Sequence, residues 1–61
     1  MEINAEQFEA LLSSNKFHDA ECIGYNEFGA TYLAKEIGFV LWDSNGMYYL
    51  ETTEEFQGEL P

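Results

Sequence analysis

Two apolar runs, Phe39-Val40-Leu41-Trp42 and Met47-Tyr48-Tyr49-Leu50, flank Asp43-Ser44-Asn45-Gly46, and no other feature restricts the fold as tightly. Asn-Gly accepts the positive φ that tight hairpin turns demand, and the flanks are rich in β-branched and aromatic residues. The segment predicts an antiparallel hairpin with strands at 39–43 and 47–51. Alternation puts Phe39 and Leu41 on one side and Val40 and Trp42 on the other, so both faces carry apolar groups and both need cover.

A helix at the N-terminus is the first candidate for that cover. Asn4 is placed to accept a backbone hydrogen bond as N-cap, Gln7 to complete a capping box, and Ile3 and Phe8 to form a hydrophobic staple. Phe8, Leu11 and Leu12 then share one face, with Glu6, Glu9 and Ser13 opposite. The pattern predicts an amphipathic helix over 4–14, ended by Ser13-Ser14-Asn15.

The middle of the chain supports two readings. Cys22, Ile23 and Tyr25 favour a central strand or turn near 19–25, and Asn26-Glu27-Phe28-Gly29 would turn into a further strand over 30–36. With the hairpin, that makes a helix plus a four-stranded antiparallel meander. Against it, Ala30, Leu33, Ala34 and Ile37 recur at helical spacing, and Gly38 stands where a helix-ending glycine belongs. As a strand the segment alternates poorly, because Leu33 shares a face with Thr31 and Lys35. The preferred expectation is a second helix over 28–37. The architecture expected is a single α+β domain over 1–61, with Phe8, Leu11, Leu12, Ile23, Leu33, Ile37, Phe39, Leu41, Tyr48 and Leu50 as its core. Residues 53–61 form a short helix begun by Thr52 and Glu55 at capping-box spacing, or a frayed acidic tail.

Charge restricts function more than motifs do. Twelve carboxylates face two lysines and no arginine, a net charge of −10 on 61 residues. Disorder is countered by a 46% hydrophobic content and by five phenylalanines, four tyrosines and one tryptophan. The domain must still fold against its own repulsion, so added salt is expected to stabilise it. Direct binding to nucleic acid or to an anionic membrane is not expected, since both depend on Lys/Arg clusters. The lone Cys22 excludes an internal disulfide and, with no signal peptide or membrane span in view, a complete, soluble, cytoplasmic protein is expected.

Catalytic chemistry is thinly represented. His18 and Cys22 lie four apart and would meet on a helix, yet no orienting group or oxyanion loop accompanies them. Asp43 to Gly46 lacks the sixth-position glycine and twelfth-position glutamate of a calcium loop, and Glu51, Glu54 and Glu55 would gather a divalent cation only weakly. No phosphate loop, serine elbow or dinucleotide fingerprint is present. No enzyme activity, cofactor or metal is expected. Ala20, Gly24, Ala30 and Leu33 approximate a helix-turn-helix spacing, with the hairpin as a wing, but Lys35 is the only cation on the would-be recognition helix.

The acid itself remains. Glu2, Glu6 and Glu9 at helical spacing would stand about 5–6 Å apart along the first helix. Glu21, Glu27, Glu36, Asp43, Glu51, Glu54 and Glu55 extend the negative surface over the other segments. Phosphates of a nucleic-acid strand have comparable spacing, so these ten residues are candidates for contact with a basic nucleic-acid-binding protein. In charge and length the chain resembles the small acidic inhibitors that bacteriophages and mobile elements use against restriction, CRISPR or repair enzymes. That resemblance implies a non-enzymatic DNA mimic, and it carries no functional residue with it. Tyr25, Tyr32 and Tyr49 would add local specificity. The alternative is an adaptor or antitoxin-like module that binds through an apolar patch, with a homodimer possible through an uncovered hairpin edge.

Overall fold

The computed structural model describes all of residues 1–61. Its elements are strand β1 (Glu2–Ile3), helix α1 (Ala5–Leu12), a short 3-10 turn (Asn15–Phe17), and strands β2 (Glu21–Asn26), β3 (Gly29–Ala34), β4 (Phe39–Ser44) and β5 (Met47–Thr52). They form one antiparallel sheet in the order β1-β5-β4-β3-β2, so β2 to β5 are a meander and β1 pairs with the last strand.

The β4–β5 hairpin closes through a two-residue turn. Ser44 pairs with Met47, while Asn45 and Gly46 take φ values of 51° and 81°, the left-handed pair of a type I′ turn. Each strand is one residue longer than the sequence suggests. Helix α1 has the expected start: Asn4 Oδ1 accepts from Gln7 N at 2.8 Å and Gln7 Oε1 from Asn4 N at 3.0 Å. It ends sooner than expected, at Leu12, where Ser13 caps it and Ser14 Oγ donates to the Leu11 carbonyl.

The expected second helix is not formed. Residues 29–34 are β3, hydrogen-bonded to β2 on one side and β4 on the other. The objection that Leu33 alternates badly fails because both faces of the sheet are covered. Tyr32 and Ala34 point toward α1, and Leu33 is buried on the opposite face, where alternation costs nothing. The helical signal has a smaller local cause. Gly38 N donates to the Ala34 carbonyl at 3.0 Å, and Gly38 takes φ 74°, so residues 34–38 are one isolated α-turn. Ile37 rides on its outside and is 42% exposed, not part of the core. With a single α-helix, the helix-turn-helix arrangement is also absent.

On the helix side, Ile3, Phe8, Phe17, Ala34 and Leu41 form the core, with Leu11, Leu12, Tyr32, Phe39, Tyr48 and Leu50 packed around it. Phe17, Ile3 and Ala34 join a core the sequence pattern had not assigned to them, while Ile23 is only half-buried. Phe8 and Tyr48 stack at a tilt with ring centroids 4.9 Å apart.

On the other face, Val40 is fully buried and Leu33 nearly so. The chain after β5 crosses this face at Trp42. Thr52 and Glu55 make the expected capping box, Phe56 N donates back to the Thr52 carbonyl, and the turn then stops without becoming a helix. Phe56 meets Trp42 edge-on at 6.0 Å, and Trp42 stacks on Tyr49 at 4.3 Å. Gly58 follows against the Phe56 ring, where a Cβ would come within 2.5 Å of it. That contact requires glycine unless the ring moves.

Candidate protein-binding surface

The ten candidate carboxylates divide into those that hold the fold and those that face solvent. Asp43 Oδ1 accepts from Ala30 N at 3.0 Å, tying β4 to the start of β3. Glu51 Oε1 accepts the Trp42 indole N–H at 2.7 Å. Glu55 Oε1 accepts from the Thr52 amide and hydroxyl at 3.1 and 3.0 Å, and these bonds to the ionised form hold its carboxyl below the ordinary glutamate value of 4.5.

The remaining seven are exposed, and they are not gathered on one side. Glu6 and Glu9 share the outer face of α1. Glu2 does not continue their row. It lies on β1 opposite Tyr49, because its neighbour Ile3 is drawn into the core and alternation turns Glu2 away from the helix. Glu21 begins β2, Glu27 sits at the β2–β3 turn, Glu36 at the β3–β4 turn and Glu54 in the capping turn. No three His, Cys, Asp or Glu side chains converge closely enough to hold a metal ion.

The two lysines are less dispersed than the acids. Lys16 and Lys35 line the same depression at the end of the sheet where β2 begins and β3 ends, together with Asp19, Glu21 and Glu36. Elsewhere the surface has no lysine. His18 and Cys22 do not meet on a helix. His18 ends the 3-10 turn beside Asp19 at 4.0 Å, and Cys22 is exposed on β2 with its thiol directed at the Gly24 carbonyl.

Aromatic side chains make a second feature. Of the three tyrosines expected to be free, Tyr25 is 85% exposed, whereas Tyr32 packs against the core and Tyr49 against Trp42. Phe28, at the β2–β3 turn, is 54% exposed. Beside Tyr25 runs a groove of about 540 Å³, lined by Gly24, Thr31, Trp42, Glu51, Phe56 and Gly58 among others. Neither lysine reaches it. Gly24 on the strand and Gly58 on the tail contribute no side chain to it. The sequence pattern placed Gly24 only in a helix-turn-helix spacing and left Phe56 unassigned, since nothing periodic marks the tail that brings Phe56 across the sheet.

No family model, curated protein or solved structure matches this chain.

Proposed function

We propose that this protein is a non-enzymatic inhibitor that acts in the cytoplasm and occupies the basic nucleic-acid groove of a partner protein, as the small acidic inhibitors of phages and mobile elements do. The observation that supports it is that exposed acids stand on a hydrogen-bonded framework whose two lysines are confined to one end. Both lysines lie at one end of the sheet, so Glu2, Glu6, Glu9 and Glu27 project from secondary structure or a tight turn without a neighbouring lysine. Such an arrangement steers a basic partner and speeds encounter more than it tightens the final complex. The exposed carboxylates would contact the partner; Asp43, Glu51 and Glu55 would keep the scaffold in shape.

The test is competition. Affinity for a basic nucleic-acid enzyme should fall steeply between low and high salt, DNA and this protein should displace one another, and Glu6→Lys with Glu9→Lys should weaken binding. A complex that persists in concentrated salt while DNA is bound would refute the reading. A second reading, an adaptor binding through apolar contacts, draws on the exposure of Tyr25 and Phe28. It predicts the reverse: Tyr25→Ala abolishes binding and the double charge reversal leaves it intact.

A further inference from the structure

The acidic surface supplies attraction at a distance but little that would orient a partner. The groove between the sheet and the C-terminal segment has the chemistry to do so. Trp42 is fixed on one side by the 4.3 Å stack with Tyr49, and Phe56 stands against it at 6.0 Å. Glu51 is fixed in turn, because one of its oxygens accepts the indole N–H at 2.7 Å. The other oxygen is left to receive a ligand. Tyr25 stands at the rim, and the strand beneath carries glycine at position 24. An anchored carboxylate beside aromatic rings, in a chain of net charge −10 whose only lysines line a different depression, selects for a cation with a flat, weakly hydrated head.

We infer that this groove takes an arginine side chain of the basic partner, the guanidinium resting against the Trp42 and Phe56 rings and donating to Glu51. The assignment rests on the proposal that the partner is basic, and it adds where that partner is read. A guanidinium fits better than an ammonium because it is planar, weakly hydrated and able to lie against an aromatic ring while one of its N–H groups reaches the free Glu51 oxygen. The volume of about 540 Å³ lies within the range of small-ligand sites and leaves room for an extended arginine chain.

Trp42 is the single tryptophan, so its fluorescence reports the groove alone. The probe is acetyl-Gly-Arg-Gly-amide, and its control replaces arginine with citrulline, which keeps the shape and removes the charge. The arginine peptide should change Trp42 emission saturably, and the citrulline peptide should bind at least about tenfold more weakly, as loss of a charged hydrogen bond implies. Glu51→Gln, which retains an acceptor for the indole N–H, should weaken the arginine peptide by a similar factor. Gly24→Val should abolish the response by filling the groove. A Cβ there meets only the Thr31 side chain at 3.7 Å, an ordinary contact, and an unchanged circular dichroism spectrum is the check that the fold is kept. Equal response to both peptides, undiminished binding by Gly24→Val, or amide shifts confined to α1 around Glu6 and Glu9 would overturn the assignment. DNA competition against a basic enzyme is scored separately: arginine binding without competition removes the inhibitor reading and leaves the groove, and competition undisturbed by Gly24→Val removes the groove and leaves the inhibitor.

Discussion

The two faces of this sheet are covered in different ways. One is packed by α1, an element whose apolar residues recur at a fixed period and whose start is hydrogen-bonded on both sides. The other is crossed by an irregular segment that relies on one capping box, one aromatic ring and one glycine. Yet the strand between them is equally dry on both sides, with Val40 and Leu41 each 0% exposed. Burial therefore does not require a regular element above it. What the irregular cover lacks is bulk, and the groove beside Trp42 lies where that cover is thinnest.

Adjacent residues of β4 allow the faces to be weighed against each other. Leu41→Ala should cost about 2–5 kcal/mol in urea denaturation, enough to unfold most of so small a domain. Val40→Ala removes two carbons rather than three and should cost about 2 kcal/mol if the tail stays in place. A much smaller loss would mean that the tail side is wet in solution and that the two faces differ in burial as well as in cover. Phe56→Ala tests the same point from above. It should cost about 1–2 kcal/mol and make Trp42 emission more solvent-like, while amide exchange in α1 stays unchanged.

The two capping boxes supply a finer comparison, since Asn4 starts a helix and Thr52 only a turn. Asn4→Ala should destabilise the protein by about 1 kcal/mol, measured by thermal or chemical denaturation. The smallest effect is expected from Glu55. Its folded-state value is depressed, so its contribution is present above the ordinary glutamate value and is lost as pH falls through the lower folded value. A carboxyl-carbon NMR titration should place Glu55 below the ordinary glutamate value of 4.5; a midpoint at that value would mean that the Thr52–Glu55 turn is open in solution.

Legibility in the sequence followed the kind of cover. The helix and hairpin were readable because Asn4, Gln7 and Asn45-Gly46 act through bonds within a few residues of themselves. β3 was misread because its burial is decided by pairing across the sheet: Leu33 lies opposite Val40 on one side and Glu21 on the other, and is buried on the face away from α1. The mistaken helix also drew on Gly38, whose positive φ serves an α-turn as readily as a helix end. The acids were all visible, but their grouping was not. Glu2 was placed on the helix by spacing, and the structure assigns it to β1 because Ile3 must point inward. Carboxylates that brace the fold, such as Asp43 and Glu51, are indistinguishable in composition from those that face outward; only the donors opposite them, Ala30 N and the Trp42 indole, tell them apart.

Strand order has a kinetic consequence. Each pairing in the sheet joins neighbours along the chain except one, in which the first strand docks beside the last and Leu50 N donates to the Met1 carbonyl at 2.9 Å. Helix α1 has its seat completed only when residues 47–52, the strand it rests on most, are in place. The meander can zip up hairpin by hairpin within itself, and closure by β1 is then the final, slow event. Until it happens, part of the apolar stripe of α1 is bare, so a chain whose meander has formed but whose β1 has not docked is the form most open to aggregation.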